Sequence, residues 1–172
     1  MKLRSILALV SLLAISCTAQ PGGPLKVGDA APQVSGTTEA GATLALAEVY
    51  AQQAYTLVYF YPKAGTSGCT AQGCSLRDAH EGLVGKGVAV IGVSSDSVAA
   101  QKAFKDTNHF PFPLIADTDR KVQEAFAVPT YPGTKDAQRQ AFLIKGGKVV
   151  WLDFTASTRQ QAADVLKFVN AQ

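Results

Sequence analysis

The residues of this 172-residue chain best suited to chemistry are two thiols in the stretch "YPKAGTSGCTAQGC", Cys69 and Cys74. A C-x-x-C pair would suggest a thioredoxin-like redox motif, and paired C-x-x-C units would suggest zinc. Four intervening residues fit neither pattern. The third cysteine, Cys17, lies in a separate N-terminal segment, which leaves Cys69 and Cys74 as a dedicated pair.

The flanking sequence predicts how the pair is held. "TLVYFYP" (Thr56 to Pro62) is a continuous apolar, aromatic and β-branched run, as expected of a strand buried on both faces, and "GVAVIGVSSD" (Gly87 to Asp96) is a second. Between them, Cys69 to Leu83 fits a helix, with Cys69, Gly73, Leu76, His80 and Leu83 on one stripe. Strand, helix, strand in that order predicts a βαβ unit with parallel strands.

A helix starting near Gly68 puts Cys69 in its first turn, where backbone N–H groups lack intrahelical partners and the macrodipole is positive. Both effects favour thiolate over thiol. Thr66 and Ser67 offer hydroxyls that can cap the helix or bond to sulfur, and Pro62, which has no N–H, can help wall off the pocket. Cys74 sits differently. On an intact helix, five residues mean about 500° of rotation, which leaves the two side chains roughly 140° apart. The axial rise is about 7.5 Å, beyond the roughly 4.4–6.8 Å that a disulfide spans between Cα atoms. The pair can bond only if the first turn unwinds, and Gly73 eases that by about 1 kcal/mol relative to alanine. Such a pair is a poor static staple and a reasonable switch. A structural or incidental disulfide in an exported protein remains open at this point.

The other elements are read as a small accessory hairpin in "VSGTTEAGATLAL", a helix over Ser97 to Asn108 capped by Ser97, and a short strand in "FPLIAD". "TDRKVQEAFAV" reads as a short helix ended by Pro129. "RQAFLIKGGKVVWLDF" reads as a hairpin turning on two glycines, and Ser157 to Val169 as a last helix. The expected architecture is a mixed central sheet flanked by helices, with the accessory hairpin near the N-terminus. That order is compatible with a thioredoxin-like fold.

Residues 1–19 read as an export signal: Lys2 and Arg4 form a positive start, and Ile6 to Ile15 form an apolar run interrupted only by Ser11. The run is about half the roughly 20 residues needed to span a bilayer. Two exits are open. "AISC" resembles a lipobox, in which Cys17 would be lipidated and could tether the protein to a membrane, and "CTA" allows cleavage after Ala19. Either exit removes Cys17 as a free thiol. Residues 20–24 would then be a linker, and residues 25–172 one domain, exported to a bacterial periplasm or cell envelope.

Hydrophobic content of 47% and charged content of 17% are those of a folded domain rather than a disordered chain. Lys2 and Arg4 account for two of the three excess positive charges, and no basic run or interleaved aromatic patch suggests nucleic-acid binding. His80 and His109 are too few and too far apart for a zinc site. They are read as ordinary histidines, Asp117 and Asp119 as a helix-capping pair, and Trp151, Phe154, Phe104, Phe110 and Phe112 as core packing.

The motif itself resembles a known family. "PKAGTSGC" matches the peroxiredoxin pattern P-x-x-x-T-x-x-C in Pro62, Thr66 and Cys69, and "TAQGCSLRD" is similar to the Q-type, or bacterioferritin comigratory, branch. The similarity runs on through "VAVIGVSSDS", "FPLIADTDRKVQEAFAV" and "RQAFLI", covering nearly all of the chain after Pro24, although Ser67 stands where that branch commonly has proline. The resemblance implies a thioredoxin-like fold and a peroxidase without metal or organic cofactor. It makes Cys69 the peroxidatic cysteine, Cys74 the resolving cysteine, Thr66 a hydrogen-bond partner of sulfur and peroxide, Pro62 the shielding proline and Arg139 the active-site arginine. Hydrogen peroxide and organic hydroperoxides would be its substrates and a thioredoxin-like dithiol its reductant. An intramolecular resolving cysteine lets a monomer complete the cycle.

Two other classes compete. A thiol–disulfide oxidoreductase acting on protein thiols would share fold and compartment but normally relies on C-x-x-C. A tethered binding module with an incidental disulfide would carry unreactive thiols.

Overall fold

The computed structural model describes residues 23–172. The expected export signal, its Cys17 and residues 20–22 of the expected linker lie outside the described residues. No helix among the described residues is long and apolar enough to cross a membrane.

The central strand explains the architecture. In β3 (Tyr55–Phe60) all six residues are buried, because its two faces meet two separate cores. Tyr55, Leu57 and Tyr59 point into a core shared with Tyr61, Cys69, Leu76, Phe104, Phe110 and Val165. Val58 and Phe60 point into a second core with Leu46, Tyr50, Val122, Phe126 and Phe142. A strand sandwiched in this way reads as an unbroken apolar run, because neither face has water to meet.

An accessory hairpin of β1 (Ser35–Thr37) and β2 (Thr43–Ala45) precedes α1 (Leu46–Gln52) and β3. After β3 come α2 (Ser67–Asp78), α3 (His80–Gly85), β4 (Val88–Ser94), α4 (Val98–Asn108), β5 (Leu114–Ala116) and α5 (Lys121–Ala125). The chain then forms β6 (Gln140–Lys145), β7 (Lys148–Asp153) and α6 (Gln161–Asn170). The main sheet runs β5-β4-β3-β6-β7. β3 pairs parallel with β4, and β4 with β5, whereas β6 is antiparallel to both β3 and β7. The predicted βαβ unit and mixed sheet are therefore present. Gly146 and Gly147 both take positive φ, 55° and 74°, which supplies the two left-handed residues that a tight hairpin turn requires.

Several local expectations hold at atomic level. Ser97 caps α4 by accepting a hydrogen bond from the Ala100 N–H at 3.2 Å. Asp117 accepts from the Val122 and Gln123 N–H groups at 2.9 and 2.8 Å, and Asp119 from Lys121 N at 3.3 Å, so both cap α5. Others need correction. The single helix expected over Cys69 to Leu83 is two helices, broken at Ala79. The break falls where Arg77 donates to the Asn108 carbonyl at 2.8 Å and the His80 ring lies against Phe112, so tertiary contacts rather than a breaker residue set it. α1 was not expected at all; Leu46 and Tyr50, one turn apart, bury its inner face. Phe154 is 40% exposed, its ring set edge-on to Phe142, and is not a core residue.

Candidate active site

The site is built where β3 ends and α2 begins. Thr66 occupies the N-cap position with extended backbone (φ −76°, ψ 151°). The first intrahelical bond runs from Thr70 N to Thr66 O at 2.8 Å, so the N–H groups of Ser67, Gly68 and Cys69 belong to the unpaired opening turn. Cys69 thus sits at the third helical position, at the positive end of a 12-residue helix, with only 1% of its surface exposed. Cys74 lies further along the same helix and is half-buried against the same core. Both are free thiols. Because α2 is helical through both positions, the two sulfurs face different directions, as the spacing predicts.

Arg139, immediately before β6, reaches across to this turn. Its Nη2 donates to Cys69 Sγ at 3.3 Å, and its Nη1 donates to Gln72 Oε1. A guanidinium suits this double duty, since its planar fork offers two donors in fixed geometry. Gln72 in turn donates to Gln161 Oε1 at the start of α6, at 2.7 Å, and both glutamines are essentially buried. The cation fixes the orientation of this chain: Arg139 demands the Gln72 oxygen, so the Gln72 amino group must face the Gln161 oxygen. The Gln161 amino group is left buried without a partner.

The structure brings Cys69 and Arg139 into contact and keeps Pro62, Thr66 and Cys74 close in the same strand–loop–helix segment. Pro62 is half-buried, directly after Tyr61. Thr66 corrects an expectation. Its hydroxyl neither caps the helix nor bonds Cys69 Sγ; Oγ1 donates to the Lys63 carbonyl at 3.0 Å. A carbonyl three residues back is the nearest acceptor for a threonine turned across its own loop. Ser67 makes no cap bond either. Beneath the site, the buried Tyr59 hydroxyl has no partner, and burial pushes its ionisation well above the ordinary tyrosine value.

Gln72 and Gln161 were not singled out by sequence reasoning. Gln72 carried a legible signal, because it lies three residues after Cys69 and so on the same helical face. Gln161 carried none. No group of three or more potential metal ligands occurs among the described residues.

Comparison with known proteins identifies the family. The AhpC/TSA family model matches residues 27–152. The chain is 39% identical over 145 residues to peroxiredoxin Bcp of Escherichia coli, covering 78% of this chain and 90% of that protein. It is 34% identical over 131 residues to the chloroplastic peroxiredoxin Q of Oryza sativa subsp. japonica, covering 76% of this chain and 59% of that one. Among solved structures, peroxidoxin BcpB from Mycobacterium tuberculosis superposes with a TM-score of 0.80 at 26% identity, over 86% of this chain and 97% of the other. Peroxiredoxin Q of Xanthomonas campestris gives 0.75 at 27% identity, over 86% and 96%. With the family motif on a thioredoxin-like sheet and an arginine on its cysteine, the chain belongs to the AhpC/TSA family, in the peroxiredoxin Q/Bcp group.

Proposed function

We propose that this peroxiredoxin reduces hydrogen peroxide and organic hydroperoxides with Cys69 as the peroxidatic and Cys74 as the resolving residue. The observation that carries the reading is the Arg139 guanidinium, 3.3 Å from a buried Cys69 sulfur in the opening turn of α2. A permanent positive charge and a helix N-terminus both stabilise the anionic sulfur and the negative charge that develops on the departing oxygen.

Cys69 thiolate attacks one peroxide oxygen. The O–O bond breaks, the other oxygen leaves as water or alcohol after taking a proton, and Cys69 becomes a sulfenic acid. The opening turns of α2 unwind, and Cys74 sulfur displaces hydroxide, which leaves as water, forming the Cys69–Cys74 disulfide. An external thioredoxin-like dithiol restores both thiols through a mixed disulfide. Residues of the chain supply every group in this cycle except the peroxide and the dithiol. The short spacing between the cysteines lets one subunit complete it, so a monomer suffices.

The test compares two variants in peroxide consumption. Cys69→Ser abolishes it. Cys74→Ser completes one oxidising turnover and stops at a sulfenic acid that a dimedone probe traps. Full activity in Cys69→Ser would overturn the mechanism.

The proposed site of action is the bacterial periplasm or cell envelope. Support comes from the basic start and short apolar run of residues 1–19, with Cys17 in a lipobox-like "AISC". Intact mass of the protein from its native host checks this: the full-length unprocessed mass would sink the export reading.

A further inference from the structure

The loop that carries Pro62 and Thr66 is tied at its start and at its middle to one buried hydrogen-bond chain. The Tyr61 hydroxyl donates to Gln101 Oε1 on α4. Gln101 Nε2 donates to Ser94 Oγ at 2.8 Å and to the Ile115 carbonyl at 2.9 Å. Ser94 Oγ donates to Asp96 Oδ2 at 2.7 Å, and the same oxygen accepts the backbone N–H of Ala64, also at 2.7 Å. Tyr61, Gln101 and Ser94 are all at most 1% exposed.

The direction of each bond is forced. The Ile115 carbonyl only accepts, so the Gln101 amino group must face it and the amide oxygen must face Tyr61. Ser94 then accepts from Gln101 and has its own proton left for Asp96. The chain ends on a carboxylate oxygen that holds a loop N–H. Tyr61 and Ala64 flank Pro62 and Lys63, and the Lys63 carbonyl anchors the Thr66 hydroxyl at 3.0 Å. Tyr61 before the loop and Ala64 within it are therefore both referenced, within a few bonds, to the end of β4.

We infer that Asp96 is a positioning residue for the peroxide step: through Ala64 it holds the Pro62–Thr66 loop in register over Cys69. The inference rests on the peroxidase reading above. The Asp96 carboxylate bonds to Ala64 and Ser94, not to the Cys69 sulfur. It governs how well peroxide is aligned, while the sulfur's own reactivity stays with Arg139 and the helix N-terminus. Near-attack geometry is costly to lose, since displacement of about an ångström lowers a rate by as much as about a hundredfold.

The experiment measures, for each reduced protein in a single turnover, the rate of Cys69 oxidation by hydrogen peroxide and the rate of its alkylation by iodoacetamide. In Asp96→Ala the peroxide rate falls about ten- to a hundredfold, while alkylation stays within about twofold. Asp96→Asn restores most of the peroxide rate, because one amide oxygen can accept from both Ala64 and Ser94. Should Asp96→Ala not fold, Ser94→Ala serves: it leaves Ala64 bonded but frees Asp96 on its other side, and the peroxide rate falls about threefold or more. A wild-type peroxide rate in Asp96→Ala or Ser94→Ala overturns the inference. So does a parallel loss of both reactions, or an Asp96→Asn as slow as Asp96→Ala. Those results leave the peroxidase reading intact, whereas a wild-type protein no faster with peroxide than Cys69→Ser overturns both.

Discussion

At the residue scale, the weight falls on one contact, the Arg139 guanidinium on Cys69 Sγ. Its two nitrogens divide their work between sulfur and Gln72. Lysine offers one point charge on a flexible stem and cannot reproduce that fork. Arg139→Lys is expected to lower the second-order rate with peroxide about a hundredfold, on the order of the loss seen when one oriented donor is removed from a charge-stabilising site. Stopped-flow oxidation of the reduced protein checks this, and a change under threefold would remove Arg139 from the chemistry. Sequence reasoning named Cys69, Cys74 and Arg139 as candidates, the first two from spacing and placement and the third from family resemblance alone. It missed Gln161, because a buried amide that meets its partner 89 residues away leaves no periodic trace. It misplaced the Thr66 hydroxyl because the choice between a sulfur, a helix N–H and a nearby carbonyl depends on a loop conformation that spacing does not specify.

At the element scale, α2 is both a platform and the part that must come apart. Its opening turn carries the Cys69–Arg139 contact. From Gln72 onward the helix is pinned: Gln72 to Gln161, Ser75 Oγ to the Arg159 carbonyl at 3.1 Å, and Arg77 to the Asn108 carbonyl. Gly73 has a second reason to be glycine besides low helix propensity. A β-carbon there would run into the Phe110 ring. That ring is held between Phe112, stacked at 5.4 Å, and Phe104, edge-on at 5.0 Å, so it has little room to yield. Gly73→Ala therefore gains about 1 kcal/mol of helix propensity and loses more to overpacking, about 1–3 kcal/mol. Urea unfolding should show a net loss of stability; a gain would mean that Phe110 moves aside freely. Element types were largely legible because the strands are long apolar runs and the helices carry clear stripes. The break at Ala79 was not, since no glycine or proline marks it.

At the scale of the whole molecule, stability is shared between two cores on either side of β3 and a few long-range polar clamps. One clamp joins the accessory hairpin to the sheet. Glu39, in the turn of that hairpin, pairs with Lys105 on α4 at 2.6 Å and accepts from the Leu114 N–H on β5 at 2.8 Å. Burial pushes the Glu39 carboxyl up, but hydrogen bonds from Lys105 and from backbone N–H groups outweigh it and hold the carboxyl below its ordinary value. The folded protein thus binds this proton less readily than the unfolded chain. The stabilisation is full at neutral pH, starts to fade near the ordinary glutamate value of about 4.3, and is lost as pH falls through the lower folded value. Glu39→Gln should cost about 1–3 kcal/mol at pH 7 and less at pH 3, measured by denaturant unfolding at both. An equal cost at both would show that shape, not charge, sets the contribution. The thioredoxin-like architecture was readable from the order of apolar runs. This clamp was not, because its partners lie 66 and 75 residues apart.

The central claim is that peroxide joins two sulfurs that the folded helix keeps apart. Peptide mass mapping of the reduced protein after one equivalent of hydrogen peroxide tests it most directly. The expected product is a single internal disulfide linking the peptides of Cys69 and Cys74, accompanied by loss of α2 backbone protection from hydrogen exchange. Cys69 left as a stable sulfenic acid, or bonded to the cysteine of a second molecule, would contradict it.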